Sequence, residues 1–252
     1  MINDVLVSVI IPCYNASRYI REAIQSVQKQ TYSNWELIIV DDCSTDGSEL
    51  IIAECMKDDT RIKYIKLPQN TGSPAAPRNV GIDNAQGDII ALLDSDDIWY
   101  PNKLAEQLDC MMLNECPIVY SNGIMLDETG EYKKKIVKRA VVDYNITLYR
   151  FELSSSAVMF KKSIIGNARF ESRPKEDFVF WLNVLNKTGL KAFNTNKLHY
   201  AYRILPNSRS RNKIAIVKEQ WKIYRTSEHL RFIHSSIYLL KYMVENYKKY
   251  FK

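Results

Sequence analysis

Val7 to Ile11 and Ile89 to Leu93 are apolar at every position but Ser8, so neither run has a face suited to water. Strand-type segments at Trp35 to Val40 and Ile62 to Leu67 lie between them, and helix signals follow the first two strands. Ile20, Ala23, Ile24 and Val27 recur as one helix face after a candidate cap at Ser17, and a second helix is expected from about Ser48. Pro101 opens a further helix carrying Leu104, Leu108 and Met111. A strand that is apolar on both sides must be covered on both sides, and helical crossovers between parallel strands supply that cover. The pattern predicts an α/β fold with a Rossmann-like, mostly parallel central sheet flanked by helices.

Beyond about Ile118 the alternation loosens. Asp127, Glu128, Thr129 and Gly130 predict a hairpin turn, Ser154 to Phe160 a strand, and Phe178, Trp181, Leu182 and Leu185 one face of a helix starting near Asp177. From Trp221 onward the chain is helical in character and free of glycine and proline. A chain of 252 residues, 46% hydrophobic and 25% charged, can bury a sizeable core. No run approaches the roughly 20 apolar residues that cross a bilayer, and the first residues lack a leader's basic and hydrophobic regions. Five cysteines, an odd number with no CxxC pair, suit a reducing cytoplasm rather than a disulfide framework or a structural zinc. The net charge of +6 is modest, and no nucleic-acid partner is expected. It is also uneven: Lys133, Lys134, Lys135, Lys138 and Arg139 form either a solvated face or a contact for an anionic surface or ligand.

The polar residues that end the strands carry the chemistry, because ligands of open α/β sheets bind beyond the carboxyl ends of the strands. Pro12, Cys13, Tyr14 and Asn15 follow the first strand, Asp41 and Asp42 the second, and Asp94, Ser95, Asp96 and Asp97 the run ending at Leu93. Three such clusters should converge on one crevice. An acidic pair is also an ordinary turn former or helix cap, and for Asp41 and Asp42 that alternative stays open. Three carboxylates within four residues stay ionised together only with a cation among them. Hard carboxylate donors suit Mn2+ or Mg2+, which commonly bridge to nucleotide phosphates. Neither GxGxxG nor GxxxxGKS occurs, so the ion rather than a glycine-rich loop would carry a diphosphate.

Val9 to Asn15, Gln30-Thr31-Tyr32, Ile39 to Gly47, Leu93 to Asp97 and Lys175-Glu176-Asp177 together resemble the ordered signature of family 2 glycosyltransferases with the GT-A fold. The resemblance covers roughly the first 210 residues and is similar to bacterial O-antigen and capsule hexosyltransferases. One departure is Cys43, where the family usually has glycine. The resemblance implies a GT-A unit over residues 1–210, with a nucleotide-sugar half (1–117) and an acceptor half (118–210), followed by a helical extension (211–252). It implies an inverting, metal-dependent enzyme that moves a hexose from a UDP-sugar, UDP-glucose or UDP-galactose, to a sugar hydroxyl. The acceptor would be lipid-linked, in surface polysaccharide synthesis.

By motif position Pro12, Tyr14 and Asn15 would line the base and ribose pocket, with Asp42, or Asp41, accepting from the uracil ring. Asp94 would hold the ribose, Ser95 would belong to the donor site, and Asp96, helped by Asp97, would ligate the metal. Arg78 would meet the base or the phosphates, unless it is a buried partner of an acid. Asp177 would be the general base, with Glu176 orienting it or binding acceptor, although acids also cap helix N-termini. Arg203 or Arg209, in Tyr202-Arg203 and Ser208-Arg209-Ser210, would contact phosphate or lie on the surface, and Ser154 to Ser156 would lie near the acceptor. A sugar nucleotidyltransferase, or a silent carbohydrate- or lipid-binding module, is the competing expectation. The basic, aromatic segment from Trp221 to Lys252 suits either the anionic inner face of the cytoplasmic membrane, as a peripheral contact, or packing on the enzyme's own core or a homodimer partner.

Overall fold

The computed structural model describes residues 5–205 and 213–251. Strands β1 (Val7–Cys13), β2 (Trp35–Asp41), β3 (Ile62–Lys66) and β4 (Ile89–Leu92) form the parallel half of one sheet in the order β3-β2-β1-β4. Helices α1 (Ile20–Gln28), α2 (Ser48–Lys57) and α3 (Ala75–Asn84) connect them. The sheet continues through β9 (Met159–Lys161), β6 (Ile118–Leu126), β10 (Ala192–Arg203) and β5 (Ile98–Trp99). Strand β9 runs antiparallel between β4 and β6, whereas β6 and β10 are parallel. Short strands β7 (Tyr132–Ile136) and β8 (Val141–Val142) pair with β6 and β10, and α4 (Lys103–Leu113), α5 (Tyr144–Thr147) and α6 (Glu176–Thr188) complete the body. The expected α/β, mostly parallel sheet with flanking helices is what forms.

Every residue of β1, β2 and β4 is buried, as strands covered on both faces must be. Val7, Val9 and Ile11 pack with Ile20, Ile24 and Val27 of α1 and Leu104 and Leu108 of α4 on one side. Ile10, Ile38 and Leu92 pack with Ile82 of α3 and Trp181 and Leu185 of α6 on the other. Helix α3 has no clear apolar stripe, and Pro77 sits in its first turn, where a missing N–H costs nothing. It lies so close to β1 that a Cβ on Gly81 would fall 2.3 Å from Cγ2 of Ile10.

Three local expectations change. Ser17 does not cap α1; Tyr19 occupies the cap position without a side-chain bond, and the Ser17 N–H donates to Asp46 Oδ2 at 2.9 Å. Residues Ser155–Ala157 form a 3-10 turn, so the expected strand shrinks to β9, with the Ser156 hydroxyl turned to Asp97 in the carboxylate cluster. The mid-chain lysines do not share one face: Lys133 pairs with Asp127 at 2.7 Å, whereas Lys138 is buried and donates to Glu152 O and Ser154 Oγ. The hairpin turn forms as expected, with the Asp127 N–H donating to Glu131 O and Gly130 at φ 93°. Helices α7 (Lys213–Lys222) and α8 (Phe232–Phe251) follow, joined through Ile223–Ser227 and anchored by Ile223 and Tyr224 on Leu148, Phe178 and Leu182.

Candidate active site

The end of β1 and the turn after β2 are stitched into one platform. Asn15 takes a left-handed φ of 47°; its N–H donates to Ser44 Oγ and its Oδ1 accepts from the Thr45 N–H, both at 2.9 Å. Cys43 sits at φ 64°, the conformation that explains why glycine is usual there. Asp41 is fully buried and accepts from Ser44 N–H at 3.0 Å, from Ser44 Oγ and from Tyr64 OH at 2.7 Å. It therefore builds the turn, and of the two acids the adjacent Asp42 faces the loop before α3. Asp42 accepts from the Thr71 N–H at 2.9 Å and the Thr71 hydroxyl at 3.0 Å. Burial would raise the Asp46 pKa, but bonds from Ser48 and Ser17 hold it at about 2. Pro12 is buried, whereas the Tyr14 ring is 52% exposed and free to cover a flat ligand.

After β4 the chain turns tightly, with the Asp97 N–H donating to Asp94 O at 3.1 Å. Asp94 Oδ1 accepts from Nη2 of Arg78 at 2.8 Å, and Nη1 of the same arginine reaches Glu176 Oε1 at 2.9 Å. Arg78 is 4% exposed and its Nε has no partner. Burial opposes its charge, but Asp94, Glu176 and Asp177 raise its pKa above the ordinary value. The structure thus gives Arg78 the buried pairing weighed above, with two acids rather than one.

Asp97 is 2% exposed; Ser156 Oγ donates to it at 2.5 Å and the Arg203 N–H at 3.0 Å. Each of its oxygens accepts one bond, so Asp97 holds the turn, while its neighbour Asp96 is the more open carboxylate. Burial and the Asp96 and Asp94 charges push its pKa well up. Asp96 is half-buried, as is Ser95, and its pKa rises to about 6 through burial and the Asp94 charge. Among the described residues no other residue's donor reaches its carboxylate. An open carboxylate with a second one two residues away supplies hard oxygen donors, so Asp96, with Asp94, would suit Mn2+ or Mg2+ as part of its coordination. The described residues contain no group of three or more His, Cys, Asp or Glu side chains placed to hold an ion. Diphosphate oxygens and water would complete the coordination.

Glu176 and Asp177 open α6, preceded by Lys175 at φ 56°. Asp177 accepts from the Phe178 N–H at 2.8 Å, and burial, then the Glu176 charge, pushes its pKa to about 6 against the pull of Arg78. A carboxylate poised there is suited to take a proton near neutral pH.

Of the two expectations for Arg203, a phosphate contact or a surface position, burial removes the second. Arg203 is 4% exposed, its Nη2 meets Glu22 at 2.7 Å, its Nε donates to Asp96 O at 3.1 Å, and its guanidinium lies 4.6 Å from the Tyr19 ring centroid. Ser156 also accepts the Asp94 N–H at 3.1 Å, so the last serine of the triplet serves the strand-end cluster. Ser154 instead accepts from Lys138. For the brace that Thr71, Ser156 and Arg203 form, the sequence offers only two signals, the serine triplet and Tyr202-Arg203, and none for Thr71. Ser208, Arg209 and Ser210 lie outside the described residues.

This sheet, with an acidic turn beyond β4 and a separate acidic pair opening α6, defines a glycosyltransferase of the GT-A type. The chain belongs to glycosyl transferase family 2, whose model matches residues 8–169. It is similar to the UDP-Glc:alpha-D-GlcNAc-diphosphoundecaprenol beta-1,3-glucosyltransferase WfgD of Escherichia coli, at 33% identity over 252 residues, 98% of this chain and 96% of WfgD. S. aureus TarS 1–349 in complex with UDP-GlcNAc superposes with a TM-score of 0.73 at 21% identity, over 94% of this chain and 71% of that one. The mannosyltransferase PcManGT of Pyrobaculum calidifontis, in complex with GDP-Man and Mn2+, gives 0.66 at 16% identity, over 92% and 69%. These two solved structures share the fold.

Proposed function

We propose that this glycosyltransferase moves a hexose, glucose or galactose, from a UDP-sugar to a hydroxyl of a lipid-linked saccharide, with inversion at the anomeric carbon and with Mn2+ or Mg2+. The observation that carries it is the Arg78 bridge, which ties Asp94 of the donor side to Glu176, the neighbour of the base Asp177. One buried cation thereby sets the separation between the groups that hold the donor and the group that activates the acceptor. The name of WfgD, a UDP-Glc-dependent enzyme with a diphosphoundecaprenol acceptor, supports both donor and acceptor class. Such an acceptor places the reaction at the inner face of the cytoplasmic membrane, in surface polysaccharide synthesis.

In this mechanism Tyr14 covers the uracil and Asn15 and Pro12 shape its pocket. Asp42 accepts the ring N–H; a carboxylate has lone pairs enough to keep Thr71 as well. Asp94 and Ser95 hold the ribose. A divalent ion at Asp96 and Asp94, when bound, stabilises the charge growing on the leaving diphosphate. Asp177 takes the proton of the acceptor hydroxyl as that oxygen bonds to the anomeric carbon. The bond to the diphosphate breaks on the opposite face, its electron pair leaving with the UDP oxygen. Glu176, held by Arg78, keeps the acceptor side in register.

The test is a screen of nucleotide sugars for protection against thermal unfolding with and without Mn2+ or Mg2+, followed by product analysis with a lipid-diphosphate-linked sugar. A bound donor stabilises the native state, so a UDP-hexose should raise the transition only when metal is present. Protection by GDP-sugars alone would overturn the donor assignment.

A further inference from the structure

Helix α8 is apolar on two sides. Its inner side carries Ser235, Tyr238, Leu239 and Tyr242; Ser235 is buried, and Tyr238 and Leu239 pack on the cluster of Leu148, Phe178, Leu182 and Tyr224. Its outer side carries Ile233, Ile237, Leu240 and Val244 at spacings of four, three and four, which places them on one face. These four are 70%, 47%, 60% and 43% exposed, with Phe232 at 65% and Met243 at 41% beside them. Water alone does not favour such a stripe, and contiguous apolar patches of this kind mark interaction surfaces.

The charge of the segment that carries the stripe specifies the partner. Residues 213–252 contain nine lysines and arginines against three glutamates, so the chain's whole net charge of +6 resides in this segment. The glutamates turn inward: Glu219 lies 3.6 Å from Arg173, Glu228 accepts from Tyr144 OH at 2.7 Å, and Glu245 pairs with Arg150 at 2.6 Å. The cations Lys218, Lys222, Arg225, Arg231 and Lys241 are exposed. A second copy docked on the same face would bring two strongly basic segments together. An anionic bilayer surface satisfies both the stripe and the charge.

We infer that α8 lies in the interface of an anionic membrane, with Ile233, Ile237, Leu240 and Val244 inserted and exposed cations of the same basic segment on the headgroups. This rests on the reading that the acceptor is lipid-linked, and it deepens it. Tyr242, on the inner side of the same helix, has its hydroxyl 3.2 Å from Nζ of Lys175, the residue preceding Glu176 and Asp177. The docked helix is therefore in direct contact with the segment that presents the base, so the acceptor-activating end of the cleft is held close to the membrane that carries the acceptor.

The experiment is flotation of the full chain with vesicles of phosphatidylcholine alone, or with about one third phosphatidylglycerol, in low and high salt. The expected result is binding to the anionic vesicles only, released by salt. Changing Ile237→Asn together with Leu240→Asn should lower the partition coefficient at least about tenfold, with an unchanged unfolding transition and unchanged UDP release on a water-soluble acceptor. Equal binding to neutral vesicles, or full anionic-vesicle binding by the double variant, overturns the proposal. So does loss of a dimer by light scattering in that variant with vesicle binding intact, which would assign the stripe to a second copy. Vesicle binding needs neither donor nor acceptor, so failure of the proposed reaction leaves this outcome readable.

Discussion

The buried Arg78 pairs with the part-exposed Asp94 at 2.8 Å, and the second arm of the same guanidinium holds Glu176 at 2.9 Å. Breaking a fully buried pair by removing one partner typically costs about 3–5 kcal/mol, but Asp94 is a third exposed and regains hydration, so about 1–3 kcal/mol is expected here. Arg78→Met should destabilise the protein by that order in denaturant titrations. Arg78→Lys, a point charge without the fork, should fold better yet still lower kcat, since it cannot hold both carboxylates in register.

Asp177→Asn should reduce transfer by about 100- to 10,000-fold, the usual contribution of a general base, with donor-induced thermal protection unchanged. The same variant should unfold at a higher temperature at pH 7. Burial raises the Asp177 pKa from the ordinary aspartate value of 3.8 to about 6, so the native state binds the extra proton between those values and stability falls as pH rises through that window. The neutral amide removes this cost.

The pH dependence of kcat should show an acid limb near 6, where Asp177 must lose its proton to act. Asp96 titrates in the same range without metal, being pushed to about 6 as well. Raising the metal concentration should therefore shift the acid limb of metal affinity and leave the limb of kcat at saturating metal in place.

Asp96→Ala and Asp97→Ala should separate. Removing Asp96 should abolish metal-dependent donor protection with a near-normal unfolding transition, because among the described residues no other residue's donor relies on its carboxylate. Removing Asp97 strands the Arg203 N–H and the Ser156 hydroxyl, and each buried group left unpaired costs about 1–3 kcal/mol. Calorimetry with and without UDP-sugar and Mn2+ distinguishes the two.

Gly81→Ala should destabilise by about 1–3 kcal/mol through overpacking, since the added methyl meets Ile10 where α3 crosses β1. The midpoint of denaturant unfolding measures it.

The sequence by itself determined the parallel half of the sheet, because strands such as Val7 to Ile11 and Ile89 to Leu93 have no face for water and can only be buried between helices. It also determined which chemistry ends those strands, since carboxylates cannot continue a buried run. Helix α3 was not legible, because close backbone approach at Gly81 leaves no apolar periodicity to read. Strand β10 was equally hidden, its register broken between Asn194 and Leu198 and again before Tyr200. Only the tertiary structure decided the partnerships: that Asp41 builds a turn while Asp42 faces the α3 loop, that Asp97 is spent on Ser156 and Arg203 while Asp96 stays open, and that Arg78 joins Asp94 to Glu176. Those assignments depend on which side chain reaches which across residues far apart in the chain, and no local pattern of polarity encodes such a distance.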